Sequence, residues 1–464
     1  MEKFTSLKLP PYIYYRTYLE ETYIYDVKNK HAYVFNNTAG DMIDVIARNP
    51  DISLADFLAE YAGIYDVEAE LISQDALGFL DILVSNDIIL SENYLPLSPE
   101  TFSEIECEEE PDYFGQIDQE LNLKAVTEKI LLSALLEITY RCNEKCIHCY
   151  AVGCNETDKE LSTQEWFSIL DQLSDANVLE VTFTGGDVFM RRDFLELFDY
   201  AINKRFLVNI LSNGVLATDE QLRHIAEKYP NNFAISIYGD NAKLHDSITQ
   251  VHGSFAKSCR ALKMLKELGV SITVNNVMMK QNADNYLGID NLAKELGASL
   301  KLGTSICGAK NGDLSVLYNR IDDIEAMKKI AAHIEKFNVE KFHMTPVEQL
   351  YHKDIQANIC AAGLNGLSIN PCGELFLCNS LNIKFGDVKE DLISRQWEES
   401  PIANDFRELK IKNLSECLYC KYLDYCQFCP GIALQETGSI VKPYTEACFI
   451  ARARTEIRKG GENG

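Results

Sequence analysis

Hydrophobic and polar positions divide the chain into stretches of different period. Residues 12–18 and 22–26 are rich in Tyr, Ile and Thr, and 32–36 in aromatic and β-branched residues. The turn-prone Lys28-Asn29-Lys30 separates the last two, so three short strands are expected. Helical periodicity follows. Thr38 is placed to cap a helix bearing Met42, Ile43, Val45 and Ile46, and Ser53 to cap one bearing Phe57, Leu58 and Tyr61. A third helix carries Leu71, Leu77, Leu80 and Leu83. Three strands then three helices is a winged-helix-like arrangement, assigned to residues 1–90. Residues 91–130 read as an acidic linker, punctuated by Pro96, Pro99 and Pro111 and holding the acidic run 104–112.

A different rhythm begins near residue 131. Strand patterns at 135–140, 179–184, 206–211, 233–238, 270–277 and 299–304 alternate with amphipathic helices. Trp166, Ile169, Leu170 and Leu173 form one helical stripe, and Phe255, Cys259, Leu262 and Leu265 another. Six strand–helix repeats imply an α/β fold, a parallel sheet with right-handed crossovers curled into a partial (β/α)6 barrel over residues 131–310. Ligands of such sheets gather at the C-terminal ends of the strands. A bridging helix with Ile324, Met327, Ala331 and Ile334 on one face occupies 311–342, and the remainder, residues 343–464, is irregular and cysteine-rich as far as Cys448, then closes on a short helical tail and a Gly-rich end.

Composition narrows the classes. Hydrophobic residues make up 46% and charged residues 25%, the profile of a globular chain. The 70 acidic and 44 basic side chains leave a net charge of −26, with no basic stripe, which excludes nucleic acid as an expected partner. The same charge would attract a basic segment of a partner. No 18-residue apolar run is present, and the start, MEKFTSLKLPPYIYYRTY, lacks the apolar core of a signal peptide. A cytoplasmic protein without a membrane partner is expected. The 15 cysteines then stand out, because in a reducing compartment they point to metal or redox chemistry.

They fall into two sets. Cys142, Cys146 and Cys149, in TYRCNEKCIHCY, follow the first barrel strand directly. Three thiolates at C-x3-C-x2-C spacing can hold three irons of a [4Fe–4S] cube and leave the fourth open. A zinc site would need a fourth ligand, which His148 or Cys154 could supply. C-x3-C-x2-C followed by an aromatic residue after strand one resembles the signature of the radical S-adenosylmethionine (SAM) superfamily. That resemblance implies a radical SAM core, in which the open iron chelates SAM and the reduced cluster generates a 5′-deoxyadenosyl radical. It further implies that Gly185, Gly186 and Asp187, after strand two, receive the methionine amino group, with Asp where the family has Glu. Ser212, Asn213 and Ser236, ending strands three and four, would contact ribose or carboxylate. His148 and Tyr150 would lie near adenine. An electron donor such as flavodoxin or ferredoxin is implied as a partner.

The second set is Cys360, Cys372, Cys378, Cys417, Cys420, Cys426, Cys429 and Cys448, with Gly373 ahead of Cys378. It resembles the seven-cysteine SPASM extension of peptide-modifying radical SAM enzymes, which binds two auxiliary [4Fe–4S] clusters, for three in all. The family pattern gives Cys360, Cys378 and Cys429 to the first and Cys417, Cys420, Cys426 and Cys448 to the second. Only two residues, Gln427 and Phe428, separate Cys426 from Cys429, where the family has three. Cys372 is an eighth cysteine, a fourth ligand of the first auxiliary cluster or a spectator; Cys154, Cys259 and Cys307 read as structural, and Cys107 carries no assignment. By position and pattern the N-terminal unit resembles the peptide-recognition element of ribosomal-peptide biosynthesis, which binds a precursor's leader as an added strand. The implied function is a maturase that crosslinks a precursor's cysteine sulfur to carbon as a thioether. The alternatives are a carbon–carbon crosslink, epimerisation, formylglycine formation, or a metal-bearing peptide-binding adaptor without turnover.

Overall fold

In a computed structural model the chain is described for residues 6–91, 113–152, 159–342 and 354–461; Cys107, Cys154 and the acidic run 104–112 lie outside these. It divides into two compact units, Met1–Leu121 and Asn122–Gly464. No helix among the described residues is long and apolar enough to cross a membrane.

The first unit opens with β1 (Ile13–Tyr18), β2 (Glu21–Asp26) and β3 (His31–Asn36), an antiparallel meander in that order. Its second turn is stapled by Asp26, whose carboxylate accepts from Asn29 N at 2.9 Å and Asn29 Nδ2 at 2.8 Å. Helices α1 (Asn37–Arg48), α2 (Leu54–Ile64) and α3 (Ala69–Ser85) follow. Ser53 caps α2 as expected, accepting from Asp56 N at 3.1 Å. Thr38 does not cap α1. That helix starts at Asn37, straight off β3, with Asn36 at the cap position and no side-chain cap. Leu71 is also misassigned to the core: it is 75% exposed in the first turn of α3, while Leu80 and Leu83 are fully buried. Residues 113–128, expected to be linker, form helix α4 (Tyr113–Glu128). Of its described side chains Leu121 and Ala125 are fully buried, a stripe too narrow to show as a period.

The second unit contains β4 (Ser133–Thr139), β5 (Glu180–Gly185), β6 (Leu207–Ser212), β7 (Asn232–Ser236), β8 (Ile272–Val277) and β9 (Ser299–Gly303), all parallel and neighbours in chain order. Helices α5 (Thr163–Asp175), α6 (Phe194–Asn203), α7 (Asp219–Glu227), α8 (Ala242–Thr249), α9 (Ser254–Glu267) and α10 (Tyr286–Glu295) lie between them, and α11 (Ile324–Phe342) follows. Capping boxes start α5 at Ser162/Glu165 and α7 at Thr218/Gln221. The cysteine-rich region is more regular than its sequence suggests. It forms β10 (Gly366–Ile369), β11 (Glu374–Cys378), β12 (Leu381–Asp387), α12 (Ile393–Glu399), α13 (Pro401–Arg407), α14 (Pro430–Thr437) and α15 (Thr445–Gly461). Strand β10 pairs in parallel with β4, and the β11–β12 hairpin continues outward, so one nine-stranded sheet runs β12-β11-β10-β4-β5-β6-β7-β8-β9.

In the first unit, α1 rests on the sheet at Gly40, where an added Cβ would lie 2.4 Å from Thr17 Oγ1 and 2.7 Å from Thr22 Oγ1. Gly40→Ala therefore overpacks this contact, costing about 1–3 kcal/mol against a helix-propensity gain of about 1 kcal/mol. Chemical denaturation should show net destabilisation, abolished in a Thr17→Ala/Thr22→Ala background. A Gly40→Ala protein as stable as the parent would mean that α1 stands off the sheet.

Candidate active site

Strand alternation sorts the barrel's two faces. Leu136, Val181, Phe183, Val208, Ile210, Phe233, Ile235 and Val274 point outward and are fully buried against the helical layer. The opposite positions, Thr184, Leu211, Ser236, Asn275, Val277 and Lys301 among them, line an open cavity of about 370 Å³. A closed barrel fills its interior with branched apolar side chains. This one keeps a polar trough instead.

The loop after β4 forms one wall. Lys145 N donates to Thr249 O at 3.0 Å and Ile147 N to Ile248 O at 3.1 Å, tying it to the end of α8. Cys142, Cys146 and Cys149 all line the cavity, as do His148, Tyr150 and Glu144. Backbone and amide donors point at sulfur: Glu144 N lies 3.5 Å from Cys142 Sγ and Asn213 Nδ2 3.8 Å. Burial raises all three thiols, Cys142 to about 12, and the negative charge of Glu144 raises them further. Glu144 itself is pushed up to about 7, chiefly by burial. His148 packs edge-on to Tyr238 at 4.6 Å, and burial lowers it to about 4, leaving it neutral near pH 7.

The exits of β5 and β6 meet this loop closely. At Gly185, with φ of 138°, an added Cβ would lie 2.0 Å from Thr139 O, and at Gly186 it would lie 2.2 Å from Arg141 O. Only glycine permits that approach. Gly186 N donates to Thr139 O at 2.7 Å and Asp187 N to Arg141 O at 2.9 Å. Asp187, expected to face the methionine amino group, is turned away from the cavity. It is fully buried; Oδ2 accepts from Ser212 Oγ at 2.7 Å and Asn213 N at 2.9 Å, and Oδ1 from Phe189 N at 3.0 Å. With both oxygens engaged it works as a clamp between two strand exits. Gly185, Gly186, Ser212, Asn213 and Ser236 do line the cavity.

One constellation escaped the sequence. Glu137, on the inner face of β4, is fully buried. Its carboxylate accepts from Lys310 Nζ at 2.7 Å, Tyr150 OH at 2.8 Å and Tyr140 OH at 2.9 Å. Lys310 N also donates to Tyr150 O at 2.8 Å, and its ammonium lies 5.2, 5.6 and 5.6 Å from the ring centres of Tyr140, Tyr150 and Phe376. A glutamate inside the apolar run LLEIT was the available signal; its partner, 173 residues away, had none.

The donor set suits a cationic thiolate-ligated group. Buried thiols with raised pKa values ionise only beside strong positive charge, and the cavity wall offers one basic side chain, Lys301. Asn143 Nδ2, Glu144 Oε1 and His148 Nδ1 are buried without a hydrogen-bond partner around the same loop. No three His, Cys, Asp or Glu side chains among the described residues converge on a point sized for a single ion, so the fit rests on this chemistry and placement.

Residues 136–293 match the profile of the radical SAM superfamily, and residues 360–421 that of SPASM, an iron-sulfur cluster-binding domain. The chain has a radical SAM fold. The AdoMet-dependent heme synthase of Oleidesulfovibrio alaskensis is 27% identical over 65% of this chain and 83% of its own length. The antilisterial bacteriocin subtilosin biosynthesis protein AlbA of Bacillus subtilis is 27% identical over 64% of this chain and 67% of its own. The crystal structure of Streptococcus suis SuiB bound to precursor peptide SuiA aligns with a TM-score of 0.59 at 16% identity, covering 95% of this chain and 99% of that one.

In the SPASM region of this radical SAM fold, Cys360, Cys378 and Cys429 line a second cavity of about 440 Å³ against the inner faces of β4 and β5. Cys417, Cys420 and Cys448 lie near enough that the charges of Cys448 and Cys420 raise the Cys417 thiol. Cys426 and Cys429 join Cys417 on one apolar cluster with Phe428 and Tyr444. Cys372 lines neither cavity. It precedes β11, whereas Cys378 ends it. Cys372, a ligand or a spectator by its sequence, sits in the β10–β11 turn, its N–H donating to Asn370 Oδ1 at 3.0 Å. Cys307, read as structural, packs on the same apolar cluster as Cys417, Cys426 and Cys429. Cys259 is buried on α9 as expected.

Lys310→Met strands the Glu137 carboxylate and should destabilise the second unit by about 3–5 kcal/mol. In the double variant Lys310→Met/Glu137→Gln, denaturant titration should recover most of that loss. Equal losses in both would show that Lys310 acts through packing alone.

Proposed function

We propose that this chain is a radical SAM maturase of a ribosomally made peptide, and that its product is a thioether between a precursor cysteine and carbon. The observation that carries the reading is the convergence of the three cysteines after β4, the Gly185–Gly186 turn, Ser212–Asn213 and Ser236 on one polar cavity. When bound, a reduced [4Fe–4S] cluster with SAM supplies a 5′-deoxyadenosyl radical that removes a hydrogen atom from the substrate. Cys142, Cys146 and Cys149 would hold that cluster. The backbone of Gly185 and Gly186, with Ser212, Asn213 and Ser236, would hold SAM, His148 and Tyr150 would flank its adenine, and Asp187 would keep the strand exits in place. Cys360, Cys378 and Cys429 would hold one auxiliary cluster, and Cys417, Cys420, Cys426 and Cys448 the other.

A peptide substrate is supported by likeness across nearly the whole of a chain whose crystal structure contains a precursor peptide, and by a sequence relative named for bacteriocin biosynthesis. The first unit offers a place for a leader. Strand β3 pairs only with β2 among the described strands, so its outer edge can accept an added strand, and Val34 on it is 40% exposed. Electrons would come from a donor such as a flavodoxin or ferredoxin.

The test is the reconstituted, reduced full-length protein with SAM and a cysteine-bearing precursor. Substitution of Cys142, Cys146 and Cys149 together by Ala should abolish SAM cleavage yet keep roughly two thirds of the iron. Joining sulfur to carbon removes two hydrogens, so each crosslink should lower the peptide mass by about two units and protect one cysteine from alkylation, irreversibly toward thiols. Unchanged mass would indicate epimerisation; a two-hydrogen loss with every cysteine alkylatable would indicate a carbon–carbon bond. Absence of any SAM cleavage by the parent protein would leave a binding adaptor.

A further inference from the structure

The central cavity with Cys142, Cys146 and Cys149 and the cavity with Cys360, Cys378 and Cys429 share just two lining residues among the described residues, Leu135 and Asn379. Leu135 cannot hydrogen-bond, so Asn379 is the one polar group common to both. It occupies, with Ser380, the two-residue turn joining β11 to β12 directly after Cys378. That turn is held rigidly. Ser380 N lies 3.5 Å from Cys378 Sγ, and a Cβ on Gly431 would lie 2.4 Å from Ser380 O, so the backbone of α14 presses on it. The Asn379 side chain is half-buried, and its amide nitrogen donates no hydrogen bond among the described residues.

The contact with sulfur has a direction. Cys378 Sγ, as a thiol, donates to Asn379 Oδ1 at 3.5 Å. A metal-bound thiolate has no proton and only accepts, so once Cys378 is a ligand the amide must present Nδ2 to sulfur. The reversal would free Oδ1 from sulfur, and because Asn379 also lines the central cavity, Oδ1 would be an acceptor for an N–H group there. Hydrogen bonds to ligand sulfurs set cluster potentials, so a group bound to Oδ1 is felt at Cys378.

We propose that Asn379 is a positioning residue that accepts a backbone N–H of the precursor in the central cavity through Oδ1 while donating to the Cys378 sulfur through Nδ2, so that substrate occupancy adjusts the potential of the auxiliary site. The inference rests on the peptide-maturase reading above. Asn379→Leu removes both hydrogen bonds at similar size, and Asn379→Asp keeps the acceptor but loses the donor.

The experiment compares reconstituted full-length parent, Asn379→Leu and Asn379→Asp proteins, with and without precursor, by redox titration followed by electron paramagnetic resonance. In the parent, precursor should shift the midpoint potential of one auxiliary signal. Both variants should keep full iron content and leader affinity and lose that shift, with kcat for crosslinking down about 10–100-fold; KM should stay unchanged in Asn379→Asp, which keeps the acceptor, and rise in Asn379→Leu. A shift and kcat in Asn379→Leu equal to the parent's would overturn the role of Asn379 alone. Loss of about a third of the iron in both variants would also overturn it, by showing that the residue only supports cluster binding. A parent protein that neither cleaves SAM nor alters the peptide would overturn the maturase reading itself.

Discussion

The parallel pairing of β10 with β4 is the contact on which the second unit depends. Gly366 to Ile369 lie in register with Ser133 to Leu136, and Asn365 O accepts from both Leu132 N and Ser133 N at 2.8 and 3.1 Å. An added Cβ on Gly366 would lie 2.6 Å from Ser133 Oγ, so a side chain there would strike the Ser133 hydroxyl. Adjacent strands sit about 4.8 Å apart, and a hairpin hung on β10 is therefore positioned to within a side chain's reach of the barrel. The result is that one cysteine set lines the trough and three members of the other line a second cavity against the inner faces of β4 and β5.

Charge is handled in two ways inside this scaffold. The structural acids are saturated: Glu137 accepts from one ammonium and two phenols, and Asp187 from a hydroxyl and two backbone amides. The cost of burying each carboxylate is offset in part by donors already in place. The groups on the cysteine loop are left incomplete. Their thiols are raised by burial, and polar atoms of Asn143, Glu144 and His148 have no partner. Unsatisfied polar atoms are rare in folded interiors, and here they surround the candidate cluster site.

Much of this was legible in the chain because it is local. Period-two and period-3.6 patterns located nine strands' worth of signal only where the strand was followed by its own helix or hairpin, as in β1 to β3 and β4 to β9. Strand β10 was missed because it has four residues and its parallel partner, β4, lies more than two hundred residues earlier, and the β11–β12 hairpin that continues from it was missed with it. Helix α4 was missed because its described buried positions, Leu121 and Ala125, make too thin a stripe. That the Asp187 carboxylate turns onto Ser212, Asn213 and Phe189 was not legible, since nothing in the string TGGD says which way a carboxylate turns.

The sequence by itself determined the alternation of strands and helices, the C-x3-C-x2-C loop at the first strand exit and the glycines that let the second exit approach it. Each is a property of neighbouring residues, set by backbone sterics and side-chain period. The tertiary structure alone decided which cysteines share a cavity, that Cys372 is separated from Cys378 by the length of β11, that Lys310 neutralises Glu137, and that Asn379 stands in the wall between two cavities. Those outcomes depend on pairings across long loops, where the free energy comes from burial and register between segments and leaves no periodic trace in either one.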